Sequence, residues 1–236
     1  MDTDGGGLVL ASLNLHGGRR PGGSPFSVKN AIAGLRADVI ALQEVWRPDG
    51  GPDEVAAVAA ALGAAVLHAA LVSQTTLRTL GIAADPAPGA WGLALVTALP
   101  VVGYATIPLG RAPGDPVPRG AQVVTLELPG GRLVRIANTH LTHRFASPVQ
   151  LLRLVRQLTP APAPTVITGD LNMPGPVSGL AAGYSPVVTG RTFPAGRPLL
   201  QLDHMLAGPG VTGRDGEVAL PAGSDHLPIR ARLSVS

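Results

Sequence analysis

Cysteine is absent from the 236-residue chain, which excludes disulfides, thiolate metal sites and a thiol nucleophile. Aromatic residues make up only 3% of it, leaving a core of Leu, Val, Ile and Ala and few rings on which nucleobases could stack. Lysine is nearly missing: Lys29 stands alone beside seventeen arginines, and the formal net charge is only +3. Composition therefore does not announce a strongly basic nucleic-acid surface. The arginine excess reads more simply as coding bias than as phosphate recognition by guanidinium forks. No uninterrupted apolar run is long enough to span a bilayer. The opening MDTDGGG lacks the basic and apolar segments of a signal peptide. A monomeric cytoplasmic protein is the expectation.

Hydrophobic residues reach 45% against 14% charged, enough for a substantial core. The 31 Gly and 24 Pro cluster between apolar runs, as in a β-rich chain with many turns. No charge-rich or low-complexity linker divides the sequence, so residues 1–236 are read as one domain. Strands are predicted at Leu8–Leu13, Val39–Leu42, Ala65–Val72, Gly92–Thr97, Val101–Ile107, Gln122–Leu128, Leu133–Asn138, Val166–Thr168, Leu199–Leu206 and Leu227–Val235. Three helices are predicted: one capped by Ser27, one over Pro52–Leu62, and one capped by Ser147 with Pro148 at its first position. Strands come in runs with helices at intervals, which favours an α+β arrangement of two mixed sheets packed face to face and covered by helices.

Polar groups close the apolar runs in a telling way. Asn14 ends LVLASLN, Glu44 ends VIALQE, and His140 ends VRIANTH. Asp170 and Asn172 lie in TVITGDLN, and Asp225–His226 in GSDHLP. Each stands where a buried strand reaches its end, so all can converge on one mouth of a sheet. Period-two geometry puts Asp170 and Asn172 on one side with Leu171 toward the core, and Asp203 on the opposite side from His204. Without thiols, carboxylate and amide oxygens remain as ligands, which suits Mg²⁺, or else Mn²⁺. Glu44, aided by Asn14 and Asp225, would suffice to hold it. Such a set is suited to metal-assisted attack on phosphorus.

In this order, Asn14, Glu44, His140, Asp170–x–Asn172, Asp203 and Ser224–Asp225–His226 resemble the endonuclease/exonuclease/phosphatase superfamily with its DNase I-like fold. Q-E-V, N-T-H-L, G-D-L-N and S-D-H-L-P are weak singly and strong in this sequence. The resemblance implies a four-layer α/β/β/α sandwich and a Mg²⁺-dependent phosphoesterase. It implies Glu44 as main metal ligand with Asn14 beside it and Asp225 in support. It further implies Asp170 on the attacking water, Asn172 and His140 on phosphate oxygens, and Asp203 orienting His226 against the scissile phosphate.

Several residues carry plainer readings. His68 reads as structural, His143 as solvated and His204 as buried. His16 and Arg119 are the weaker candidates for substrate contact, and Asn138 can brace His140. A phosphodiesterase or nuclease is the first functional reading, a phosphatase on a small phosphorylated sugar, inositol or lipid headgroup the second, and a binding protein on the same fold the third. Hallmarks of the inositol-phosphatase, abasic-site repair and sphingomyelinase branches are missing: Thr168 precedes Gly–Asp, Val45–Trp46 follow Gln–Glu, and His204 follows Asp203.

Overall fold

The computed structural model describes residues 7–143, 145–159, 161–175, 177 and 179–236. The chain begins with β1 (Gly7–Asn14), a single 3₁₀ turn at His16–Gly18, α1 (Val28–Gly34), β2 (Val39–Pro48) and α2 (Glu54–Ala61). Five strands follow: β3 (Ala65–Thr76), β4 (Pro88–Thr97), β5 (Val101–Gly110), β6 (Arg119–Glu127) and β7 (Leu133–His140). After α3 (Ser147–Leu158) come β8 (Thr165–Asp170), β9 (Ser185–Pro186), β10 (Asp203–Ala207), β11 (Val211–Val218) and β12 (Ile229–Val235).

Two six-stranded sheets result, ordered β11-β12-β1-β2-β4-β3 and β5-β6-β7-β8-β10-β9. Each is mixed, with β1–β2 parallel in the first and β7–β8 parallel in the second. Three apolar clusters mark three seams and hence four layers. Leu13, Leu42 and Ala94 meet Ile32 and Val58 of the first two helices. Leu10, Val39 and Leu95 of one sheet meet Val124, Ile136 and Val166 of the other. Ala137 and Ile167 meet Leu151, Leu154 and Leu158 of α3. Burying both faces of each sheet explains why the central strands read as continuous apolar runs rather than alternating ones. The expected two-sheet sandwich is the fold observed.

Local signals account for most helix ends. Ser27 Oγ accepts the Asn30 N–H, and Asp53 Oδ1 accepts the Ala56 N–H, as N-caps do. The second helix therefore starts at Glu54, two residues after the predicted Pro52. In α3 the cap position belongs to Ala146, and Ser147, itself buried, lies inside the first turn with Pro148 behind it. The predicted strand Leu199–Leu206 shortens to Asp203–Ala207, because residues 199–202 are held in a loop by paired backbone bonds between Phe193 and Leu200. Strands β9 and β11 were not predicted; β11 is polar and largely exposed at a sheet edge, where apolar patterning is weak.

Candidate active site

Strand polarity gathers the candidates. The parallel pair β1–β2 ends near Asn14 and Glu44, and the parallel pair β7–β8 ends at His140 and Asp170. Strand β10, antiparallel to β8, begins there with Asp203 opposite Asp170. Strand β12 pairs antiparallel with β1, so the loop before it brings Asp225 and His226 to the same mouth. Local irregularity then aims the side chains. Glu44 sits at a register shift between Leu42 and Val45 with φ +51°, and His16 (+47°) and Asn172 (+52°) are also left-handed. Half of the six described non-glycine residues with positive φ thus border this mouth, as expected where backbone strain serves a site. Asn172 was expected to share a side with Asp170 by extended-chain alternation. Instead β8 stops at Asp170, whose Oδ1 accepts the Asn172 N–H at 2.9 Å, and the turn carries Asn172 round to the pocket.

Placing Asp203 across from Asp170 sets two carboxylates against each other, an unfavourable pair. His226 resolves it. Its Nδ1 lies 2.8 Å from Asp203 Oδ2, and its Nε2 lies 3.6 Å from Asp170 Oδ2. Burial alone would keep this imidazole neutral, but Asp203 and Asp170, with help from Asp225, outweigh burial and raise its pKa to about 10. Burial raises the Asp170 pKa to about 7, against the lowering pull of His226. His140 is driven well below its ordinary value by burial and by the cations Arg119, His226 and His143. A neutral His140 accepting from Asn172 Nδ2 at 3.1 Å through Nε2 carries its proton on Nδ1, which faces Glu44 at 3.8 Å and has no hydrogen-bond partner among the described residues.

Asn14 bridges the carboxylates. Its Nδ2 donates to Glu44 Oε1 and to Asp170 Oδ2, each at 3.1 Å, while its Oδ1 accepts the His16 N–H. Asp225 accepts from Ser224 Oγ and lies 3.4 Å from His16 Nδ1. Glu44, His16, Asp170, Asn172, Asp225 and His226 line one cleft of about 380 Å³, and exposed His143, expected only to be solvated, borders it too. Asn14 and Asp203 support the cleft from behind. His204 points elsewhere, with Nε2 on the Met173 carbonyl. His68 also lies away from the cleft, but it has an acidic partner the sequence did not suggest: its Nε2 meets Asp53, the cap of α2, at 2.9 Å.

Other cleft residues escaped sequence reading. Asp115 is buried and binds Arg119 through both Nε (3.0 Å) and Nη2 (3.3 Å). The guanidinium sits 5.6 Å over the Trp91 ring, which itself packs against His140, and its buried Nη1 has no hydrogen-bond partner among the described residues. Phe193 packs on His226 with ring centroids 4.8 Å apart. Only the Asp–x–x–x–Arg spacing hinted at the pair, and proline on both sides of Val117 hides any periodicity.

The donor set fits a hard divalent cation. Glu44 is partly exposed to the cleft and its Oε2 is free of hydrogen bonds among the described residues, with Asp225 and Asp170 nearby. Asn14 turns its amino group to the carboxylates, so it braces Glu44 in this arrangement. Asp170, Asp203 and His226 also place ligand atoms within 4.8 Å of one another. There, however, the imidazole already fills the gap and is hydrogen-bonded to Asp203, so that trio suits proton and hydrogen-bond chemistry better than an ion.

A sandwich of two mixed sheets with carboxylates, amides and imidazoles at one mouth is the DNase I-like architecture. Consistent with it, the Endonuclease/Exonuclease/phosphatase family model matches residues 11–226, and the chain belongs to that family of phosphate-ester hydrolases. No curated protein matches significantly. Among solved structures, an endonuclease/exonuclease/phosphatase from Beutenbergia cavernae DSM 12333 is 22% identical with a TM-score of 0.73, covering 98% of this chain and 72% of that one. The human Nocturnin catalytic domain with bound sulfate anion is 20% identical with a TM-score of 0.74, covering 100% and 96%. Danio rerio TDP2 complexed with single-strand DNA product is 15% identical with a TM-score of 0.66, covering 97% and 99%. No described helix is long and apolar enough to cross a membrane.

Proposed function

We propose that the chain hydrolyses phosphate esters by in-line attack of water assisted by Mg²⁺ or Mn²⁺, with phosphodiesters, nucleic acid among them, as the first substrates to test. The observation that carries this reading is the ordered array Asp203–His226–Asp170, joined at 2.8 and 3.6 Å and facing Glu44 across Asn14. Glu44, with Asp225 in support, would hold the cation, which neutralises phosphoryl oxygens and eases deprotonation of water. Asp170, with a pKa near 7, is suited to orient the water and take its proton. His226 stays an imidazolium beside Asp203 and offers Nε2–H to a phosphate oxygen. His140 offers Nδ1–H, whereas both amide hydrogens of Asn172 are engaged by His140 and the Leu141 carbonyl, so Asn172 acts by fixing His140. The free Nη1 of Arg119 suits a non-reacting phosphate oxygen.

One observation favours the second reading, a small phosphorylated molecule. Among the described residues Arg119 is the only Arg or Lys on the cleft wall, and Leu80, Ile82, Val117, Phe193 and Leu202 supply much of the rest. A long polyanion ordinarily engages several cations at once. Hydrolysis of plasmid DNA, RNA, bis-p-nitrophenyl phosphate and inositol phosphates, with and without Mg²⁺ and with Glu44→Ala as control, separates these readings. Plasmid nicking lost in the control selects the nuclease, and turnover of monoesters alone selects the phosphatase. No metal-dependent turnover of any ester overturns the proposal.

A further inference from the structure

A set of buried amides crosses the largely apolar seam between the two sheets. There Gln43 Nε2 donates to Asn138 Oδ1 at 2.7 Å and to Ser12 Oγ at 3.1 Å. Asn138 Nδ2 in turn donates to the carbonyls of Leu42 and Ala94, both at 3.0 Å, and approaches Gln122 Oε1 at 3.3 Å. Gln122 Nε2 closes the chain on the Leu67 carbonyl at 2.7 Å. All three amides are fully buried, each at 0% exposure. The bridge ties β1, β2, β3 and β4 of one sheet to β6 and β7 of the other.

Buried amides cost desolvation that Leu or Met in the same volume would not, so their presence asks for a reason. Apolar contacts are non-directional and let packed sheets slide, whereas hydrogen bonds fix register. The position of this bridge is informative. Gln43 immediately precedes Glu44 and pairs with Asn14 across the parallel strands. Asn138 lies two residues before His140 on the same strand. Glu44 and Asn14 belong to the first sheet, while His140, Asp170 and Asp203 belong to the second. The candidate site is thus split across the seam, and any slide changes the Asn14–Asp170 and Glu44–His140 separations directly.

We infer that Gln43, Asn138 and Gln122 are positioning residues that set the distance between the cation-holding half of the site and its phosphate-holding half. The inference rests on the phosphoesterase reading above. Its test is the double variant Gln43→Leu/Asn138→Leu, which removes both facing amides and takes their donors from Ser12 Oγ, Gln122 Oε1 and the Leu42 and Ala94 carbonyls. The expected result is a folded protein of lower melting temperature, kcat lowered about 100-fold, the effect of an approximately 1 Å misplacement, and KM changed by less than about threefold. Calorimetric titration of the metal-free protein with Mn²⁺ is expected to show weaker binding by about tenfold, the scale for lost outer support of a metal ligand. A folded double variant with wild-type kcat and Mn²⁺ affinity overturns the inference. Should it fail to fold, Gln122→Leu cuts the arm to β3 and the 3.3 Å contact from Asn138, leaving the Gln43–Asn138 bond in place, and is expected to lower kcat several-fold without lowering Mn²⁺-free stability in proportion; wild-type kcat there overturns the inference equally. Wild-type protein inactive on every ester sinks the phosphoesterase reading instead, and that result is seen before any variant is made.

Discussion

Replacing Asp203 with asparagine removes one charge and little volume, and its consequences can be worked through. Asp203 is buried and holds His226 Nδ1 at 2.8 Å; it leads the groups that lift this imidazole from 6.5 to about 10. That lift corresponds to about 5 kcal/mol of preference for the charged ring, at 1.36 kcal/mol per pK. With the carboxylate gone, burial still disfavours the cation and only Asp170 and Asp225 oppose it, so His226 returns toward its ordinary value. At pH 8 a group of pKa 10 is about 99% protonated and one of pKa 6.5 about 3%. Protonation alone then lowers the rate about 30-fold, before any loss of ring orientation. Measured as kcat/KM from pH 5.5 to 9.5, wild type should show no alkaline fall due to His226 below about pH 9, while Asp203→Asn should decline from near neutrality. Superimposable profiles with equal rates would refute the role of imidazolium and of Asp203 together.

Glu44→Gln keeps the Asn14 contact available but removes the proposed anionic ligand; it should lower Mg²⁺-dependent turnover at least 100-fold and abolish the rise in melting temperature expected of wild type with Mg²⁺, read by calorimetry. Above about pH 6.5 the stability of the metal-free protein should fall as pH rises. His226 has a raised folded pKa, so there the native state binds more protons than the unfolded chain up to about pH 10, with Asp170 adding to this near neutrality; below pH 6.5 the lowered pKa values of His140, His204 and His68 act in the opposite sense. The stabilisation from His226 is complete below pH 6.5 and is lost on approach to pH 10, and His226→Asn should flatten that part of the melting curve. Asp115 works in the opposite sense. Burial would raise its pKa, but Arg119, Thr142 and the Val117 N–H together lower it, so its contribution is present above the ordinary carboxyl value and lost as acid protonates it. Asp115→Ala leaves the Arg119 guanidinium buried without its partner and should cost about 3–5 kcal/mol in chemical denaturation, whereas Arg119→Lys should mainly raise KM. Gly169→Ala would force a methyl into the Thr139 carbonyl at φ +133°, prising β8 from β7 beside His140 and Asp170; soluble expression with a wild-type melting temperature would contradict that close approach.

Legibility in the sequence followed the physics of each feature. Apolar runs closing on polar residues marked the strands that deliver Asn14, Glu44, His140 and Asp170, because polarity in a buried strand is most readily satisfied at its mouth. The cap at Ser27 was local and so legible in a short window, whereas β11 and β9 are edge strands whose pairing with β12 and β10 no apolar alternation announces. The Asp115–Arg119 fork was hidden in a proline-rich loop, and the His68–Asp53 pair joins two elements with no shared pattern.

Sequence by itself determined the residue types available for chemistry: no thiol, hence oxygen ligands, and carboxylates, amides and imidazoles at the ends of apolar strands. It also determined the layers, since three sets of apolar residues need three seams to bury them. Tertiary structure alone decided which donors are free. Only folding could place His226 between two facing carboxylates, spend both amide hydrogens of Asn172 locally, turn the Asn14 oxygen to a backbone N–H, and leave His140 Nδ1 and Arg119 Nη1 without partners among the described residues. The physical reason is that identity fixes what a side chain can donate or accept, whereas satisfaction of a buried donor depends on neighbours brought from other strands.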